Sequence, residues 1–330
     1  MSDPRILTIV LNYKTAQMTL DAAEAARVAM QGLPGEIVIV DNDSQDGSFE
    51  TMAAHVKDAG WDKTRVIQSG RNGGFGAGNN VGIRAGLSDG SRPDYVYILN
   101  SDAFPKPDAI RVLYEHLNTN PTTGFAGSFI AGEDGVQHTT TFRFPSIWSE
   151  LEGSINFGPV SKLLKSYRVP RELTDTAPVD WLAGASMMIR QDVLDEIGLF
   201  DETFFLYFEE TDLCRRAQKA GHQGMFLADS VVTHLGSVST GMKEWRRVPD
   251  YWFDSRWHYF VKNHGRAYAI CATILHLTGG SLHWLRCKLT GKRNGGPPHF
   301  LRTMAAHDFA AVFKPTRGQP LQGRLQTGEE

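Results

Sequence analysis

Ile6-Leu7-Thr8-Ile9-Val10-Leu11 runs without a polar break other than Thr8 and stops at Asn12-Tyr13. A continuous, largely β-branched apolar run suits a parallel strand buried on both faces. Ala16 to Met30 then supplies good helix formers with no Gly or Pro, and Pro34-Gly35 leads into a second apolar run, Glu36-Ile37-Val38-Ile39-Val40. Strand, helix and strand make a βαβ unit. The pattern repeats as a helix from Phe49 to Ala59, a strand around Arg65-Val66-Ile67, a helix from Asn79 to Leu87 and a strand from Tyr95 to Leu99. This alternation predicts an α/β fold, with a mostly parallel, doubly wound sheet holding its ligand at the carboxyl ends of the strands.

The rest of the chain is less regular. From Gly124 to Pro178 it is rich in Gly, Ser, Thr and aromatic residues, which reads as long loops and antiparallel strands shaping a substrate pocket. An apolar run from Trp181 to Arg190, a helix from Gln191 to Ile197 and a helix from Glu209 to Ala220 follow. Then come a strand from Gln223 to Leu227 and the segment Ser230 to His234. From about Tyr251 the composition is helical. We expect one large domain over residues 1–245, its halves meeting near 103/104, and a C-terminal helical segment over 246–330.

Composition narrows the class. Of 330 residues 41% are apolar and 22% charged, and the net charge of −3 gives no reason to expect nucleic acid. The cysteines Cys214, Cys271 and Cys287 form no CxxC pair, so neither a disulfide framework nor a zinc knuckle is indicated. Met1 to Arg5 is too short to open a signal peptide. A cytoplasmic protein is the expectation.

Five polar clusters interrupt the apolar pattern. Asp41-Asn42-Asp43-Ser44 follows the second strand, where its carboxylates and amides can meet a base or ribose, or simply form a turn that caps the next helix. Asn72-Gly73-Gly74-Phe75-Gly76-Ala77-Gly78-Asn79-Asn80 reads as a glycine-rich loop that can approach phosphate or serve as a plain turn. It fits neither GxGxxG nor GxxxxGK[ST], which counts against a dinucleotide dehydrogenase or a P-loop enzyme. Asn100-Ser101-Asp102 closes a strongly apolar strand and can place a carboxylate on a divalent cation bridging phosphates, or form a turn. Glu209, Glu210 and Asp212 crowd three carboxylates beside an aromatic wall, as a perturbed site or as an acidic first helical turn. His234 follows a strand and needs a second ligand before a metal role has meaning.

Taken in order, these segments resemble the family 2 glycosyltransferases, in particular their rhamnosyltransferase-like branch. The pieces are Ile9-Val10-Leu11-Asn12-Tyr13, Val40-Asp41-Asn42-Asp43-Ser44, Asn72 to Asn79, Leu99-Asn100-Ser101-Asp102, Gly198-Leu199-Phe200-Asp201-Glu202, Phe208 to Leu213 and His234-Leu235-Gly236-Ser237. The resemblance implies the GT-A fold, a nucleoside-diphosphate sugar donor, a divalent cation (Mg²⁺ or Mn²⁺) and inversion at the anomeric carbon. It places Asp41 at the base-contacting position and Asn100-Ser101-Asp102 at the DxD motif, whose first Asp is here Asn. The metal would rest on Asp102, with His234 at a late ligand position. Glu210 matches the catalytic base, and Glu209 is the second candidate. We assign Asn12, Asp41, Asn42, Asn72, Gly74, Asn79, Asn100 and Ser101 to the donor side, and Trp181, Gly184 and Asp212 to the acceptor side.

The expected activity is transfer of rhamnose or another hexose from a UDP- or dTDP-linked donor to a glycan or polyprenyl-linked acceptor, in polysaccharide biosynthesis at the cell envelope. A sugar-phosphate nucleotidyltransferase would need glycines after the first strand, where Asn12-Tyr13-Lys14-Thr15 has none. A catalytically weak carbohydrate-binding relative is the other alternative, suggested by Asn100. The run from Ala267 to Leu277 with Leu282, Trp284 and Leu285, interleaved with Arg286, Lys288, Lys292 and Arg293, reads as an interfacial helix docking at the inner face of the plasma membrane, or as a pair of ordinary helices covering the catalytic domain or making a homodimer contact.

Overall fold

Alternate residues of β1 (Ile6–Asn12) face opposite ways and both sets are apolar, so the strand must be covered on both sides. The computed structural model describes residues 5–236, 247–293 and 295–314. β1 leads to α1 (Ala16–Ala29), β2 (Gly35–Asp41), α2 (Ser48–Asp58), β3 (Thr64–Gln68), α3 (Gly74–Ala85) and β4 (Tyr95–Asn100). Ile6 and Val10 join Leu20, Ala23 and Ala26 of α1 in the core on one face. Leu7 and Ile9 join Ile83 of α3 on the other.

The chain continues through β5 (Ala103–Pro105), α4 (Ala109–Thr119), β6 (Thr123–Ala131), β7 (Thr141–Phe142), α5 (Ile147–Ile155), α6 (Gly158–Leu163), β8 (Pro170–Arg171), β9 (Ala177–Val179) and β10 (Trp181–Leu182). After these come β11 (Ser186–Arg190), α7 (Gln191–Ile197), α8 (Glu209–Lys219), β12 (Gln223–His234), α9 (Asp250–His264), α10 (Arg266–Thr290) and α11 (Phe300–Val312). The main sheet has the order β3-β2-β1-β4-β11-β6-β12-β5, with β9 also on β12. β3, β2, β1, β4, β6 and β12 run one way, and β11, β5 and β9 run against them. The sheet is therefore mostly parallel, as expected.

Three expectations are corrected. The stretch from Gly124 to Pro178 is not all loop and antiparallel strand: β6 lies inside the sheet between β11 and β12, parallel to β12, and α5 and α6 follow it. The segments 223–227 and 230–234 form one strand, whose register shifts between Leu227 and Val231. The glycine-rich stretch is helix from Gly74, not loop to Asn79. The expected boundary at 245/246 and Ser237 lie outside the described residues.

α5, α9, α10 and α11 meet around Arg256, which is 1% exposed. Its guanidinium donates to Glu150 at 2.7 Å and Asp308 at 3.1 Å, and His276 sits 2.8 Å from the same Glu150 oxygen. A buried cation is tolerable only with partners of this kind. This network joins a helix from the middle of the sequence to the C-terminal helices.

Candidate active site

Strand register builds one edge of the site. Asn12 pairs with Asp41 and Leu11 with Asn100, so the carboxyl ends of β2, β1 and β4 lie side by side. Asn12 is fully buried and its amide is consumed internally. Its Nδ2 donates to Asp41 Oδ1 at 2.6 Å and Ser44 Oγ at 3.1 Å, while its Oδ1 accepts from Thr15 N and Thr19 Oγ1. Ser44 completes the brace, donating from Oγ at 2.5 Å and from its amide at 3.2 Å to Asp41. Asn12 thus orients Asp41 and has no surface of its own for a ligand. Ser44, three residues after Asp41, is not among the donor-side residues expected from the sequence, and it is this fold that brings its hydroxyl and amide onto Asp41.

Asn42 and Asn72 pin the start of α3. Asn42 Nδ2 donates to Asn72 Oδ1 at 3.1 Å and to the Gly74 carbonyl at 3.2 Å, and Asn72 Oδ1 also accepts from the Gly74 amide. Buried acceptor oxygens of Asn42 and Asn79 have no partner. The glycines of this stretch are used by protein neighbours. Gly74 has φ +86°, and a Cβ there would lie 1.7 Å from the Phe205 carbonyl oxygen. A Cβ on Gly78 would lie 2.5 Å from Leu11 Cδ1. They let α3 rest directly on β1 and on the turn before α8, so close packing explains them without a mobile phosphate loop.

The turn between β4 and β5 carries Asn100-Ser101-Asp102. β5 pairs with the end of β12, matching Ala103 to His234, and the Leu235 amide donates to the Asp102 carbonyl at 3.0 Å. His234 Nε2 and Asp102 Oδ1 consequently meet at 2.9 Å. The two residues expected to share a metal are thus neighbours. Ser101 Oγ accepts from Thr15 Oγ1 at 3.3 Å. Among the described residues no three His, Cys, Asp or Glu side chains gather as a metal cluster. One carboxylate and one imidazole nitrogen side by side nevertheless fit a hard or borderline divalent cation that takes its other ligands from diphosphate oxygens and water.

Glu209 and Glu210 open α8 immediately after Tyr207 and Phe208, whose φ values are +70° and +69°. Left-handed backbone at two successive aromatic residues costs about 1–3 kcal/mol each, a pattern seen at functional turns. Each glutamate has one buried carboxylate oxygen without a partner. Burial raises the proton affinity of both. The charge of Glu210 raises that of Glu209 further, so that Glu209 stands well above the usual carboxylate range. For Glu210 burial is opposed by backbone amides, its own and that of Gly184.

The acceptor-side residues divide. Gly184 lies against Phe75, where a Cβ would be 2.8 Å from the ring, and its amide faces Glu210. Trp181 stacks on Phe142 at 4.1 Å and spends its indole N–H on the Arg143 carbonyl at 2.9 Å. Asp212 is wholly buried. Its carboxylate is held by Arg216 at 2.9 Å, Lys262 at 2.7 Å and Asn263 at 3.1 Å, which leaves nothing to offer an acceptor. Asn80 was also missed: its amide exchanges two bonds with the backbone of Phe200 and donates to Glu202, tying α3 to the segment that leads to α8.

Residues 8–198, more than half of the chain, match the family model described as Glycosyl transferase family 2. The match stops before Glu209. An N-acetylglucosaminyl-diphospho-decaprenol L-rhamnosyltransferase of Mycobacterium tuberculosis is 28% identical over 221 residues, 63% of this chain and 69% of the relative. A low-salt glycan biosynthesis hexosyltransferase, Agl10 of Haloferax volcanii, is 32% identical over 64% of this chain and 61% of its own length. The mannosyltransferase PcManGT of Pyrobaculum calidifontis, solved with GDP-Man and Mn²⁺, superposes with a TM-score of 0.52 at 15% identity, covering 94% of this chain and 87% of that one. Its likeness establishes the shared GT-A architecture. The chain belongs to glycosyl transferase family 2: it is a glycosyltransferase that takes its sugar from a nucleotide-sugar donor.

Proposed function

We propose that the enzyme is an inverting, single-displacement transferase that moves rhamnose or another hexose from a UDP- or dTDP-linked donor to a glycan or polyprenyl-linked acceptor. The observation that carries this reading is Glu210. It stands at the start of α8 beside Gly184, with raised proton affinity and one buried carboxylate oxygen free of any partner. An acceptor hydroxyl could replace the missing partner. Its oxygen attacks the anomeric carbon, the bond to the diphosphate breaks with its electron pair, and the hydroxyl proton passes to Glu210. Burial and the charge of Glu210 beside it hold Glu209 well above the usual carboxylate range, which makes it the harder of the two to ionise. Asp41, braced by Asn12 and Ser44, is set to orient the nucleoside. Asp102 and His234 would hold a divalent cation, which when bound supplies positive charge for the leaving diphosphate. A panel of nucleotide sugars, assayed by mass spectrometry with and without EDTA, tests the reading; turnover of none of them would refute it.

The acceptor side of the proposal rests on α10. Among the described residues no helix is long and apolar enough to cross a membrane. Ile274, Leu282, Leu285 and Leu289 are nonetheless 46–79% exposed, at spacings that put them on one side of α10. No Asp or Glu occurs from Ser255 to His307, and Lys288, Lys292, Arg293 and Arg302 are exposed. Such a face suits an anionic bilayer, each cation near it contributing about 1 kcal/mol. We place the enzyme peripherally at the inner face of the plasma membrane, where a polyprenyl-linked acceptor would be met. Flotation with anionic liposomes at low salt should carry the folded enzyme upward. Protein that stays at the bottom, with light scattering showing a dimer, would assign the face to a second copy.

A further inference from the structure

The turn from Phe204 to Phe208 needs support from outside itself, because two successive left-handed residues persist only where their surroundings fix them. On the α3 side it has the bond from the Phe75 amide to the Phe205 carbonyl, at 3.1 Å. On the other side every one of its residues meets α9. His258 packs edge-on to Phe204 with ring centres 4.7 Å apart, and Tyr251 lies 5.4 Å from Phe205 and 6.3 Å, stacked, from Tyr207. Ser255 Oγ donates to the Leu206 carbonyl at 3.0 Å. Trp252 and Tyr259 lie 6.1 and 5.5 Å from Phe208. Positions 251, 255, 258 and 262 recur at helical spacing and so form one face. Lys262 closes it, donating to Asp201 at 2.8 Å and Asp212 at 2.7 Å, one carboxylate before the turn and one after it.

We propose that this face of α9 is a clamp that holds the turn in its left-handed conformation and thereby positions Glu209 and Glu210, with Lys262 as its main positioning residue. The inference rests on the reading of Glu210 as the base. It brings a helix beyond the family match into the workings of the site, through contacts with the segment that carries the glutamates. Asp212 gains a role in the same step: it is the anchor in α8 that Lys262 pulls on.

Lys262→Ala should lower kcat by about 10²-fold, the scale of a misplaced catalytic group, while KM for the nucleotide sugar selected by the panel changes by less than about twofold. Backbone hydrogen exchange over residues 204–212 should rise. Lys262→Arg should restore most of the rate. A merely stabilising lysine would shift the denaturant midpoint without this split between kcat and KM. Ser255→Ala, which removes one hydrogen bond, gives the same pattern at smaller size should Lys262→Ala fail to fold. Unchanged exchange over 204–212 overturns the clamp. Raised exchange with kcat intact leaves the clamp standing and removes Glu210 from the role of base.

Discussion

The proposed donor edge and the proposed base turn of this site are built on opposite plans. At the donor edge Asp41 is surrounded by bonds from Asn12 and Ser44, and Asn12 is itself fully engaged. At the base turn the backbone is strained and both glutamates keep a buried oxygen without a partner. A carboxylate that orients a nucleoside gains from being held still by neighbours. One that must take up a proton gains from being denied them, because each bond to the charged form lowers its proton affinity. The largest expected effect breaks this contrast: Glu210→Gln should cut transfer by about 10²-fold or more with donor affinity nearly intact, and Glu209→Gln should be milder. In the wild type, kcat should rise with pH as Glu210 ionises, with its inflection above the ordinary glutamate range. Reversed effects of the two substitutions in single-turnover assays would move the base to Glu209.

At the donor edge, the next largest effect belongs to the metal. Asp102→Ala should abolish the Mn²⁺-dependent part of nucleotide binding, since His234 alone is a poor site for such an ion. Calorimetry with and without Mn²⁺ reads this directly, and undiminished metal-dependent binding would place the ion elsewhere. Gly74→Ala attacks the contact between the two regions. The new Cβ would overlap the Phe205 carbonyl oxygen at a φ that alanine resists, a cost of about 3 kcal/mol. Denaturant unfolding should show it, and a change below about 1 kcal/mol would mean that α3 and the turn separate easily.

The two regions also differed in how legible they were. β1, β2 and β4 carry apolar runs buried on both faces, so the parallel half and its carboxyl edge follow from residue type alone, and Asp41 and Asp102 stand where the sequence places them. β6 was hidden because Gly124, Gly127 and Ser128 dilute its apolar character; a Cβ on Gly127 would lie 2.8 Å from Leu182, a contact invisible without the fold. The early start of α3 was hidden for the same reason: glycine reads as loop until Leu11 and Phe205 are seen to need its missing side chain. Asp212 read as a site residue because three carboxylates crowd one turn. Its partner Lys262 is fifty positions away, and no local pattern announces the pair.

A third buried glutamate sharpens the contrast by reversing it. Glu150 is taken out of water as Glu209 and Glu210 are, and burial again opposes its charge. Arg256 and then His276 outweigh that penalty and hold the carboxyl at about 2. Its folded proton affinity lies below the unfolded value, so its contribution to stability is present above the ordinary glutamate pKa of about 4.5 and is lost as pH falls toward about 2. Glu209 and Glu210 carry the opposite sign: raised in the folded state, they weaken the fold as pH climbs past the unfolded value and relieve it on acidification. Unfolding between pH 5 and pH 3 should therefore show a loss on the order of 2 kcal/mol that Glu150→Gln removes, while the variant is already weaker at neutral pH because Arg256 is left short of a partner. The double substitution Glu209→Gln with Glu210→Gln should leave that acid loss in place and raise stability at neutral pH, since a carboxyl pair whose ionisation burial opposes is gone. An undiminished acid loss in Glu150→Gln would show that other carboxylates held low in the fold, Asp201 beside His258 and Lys262 among them, carry it in place of Glu150.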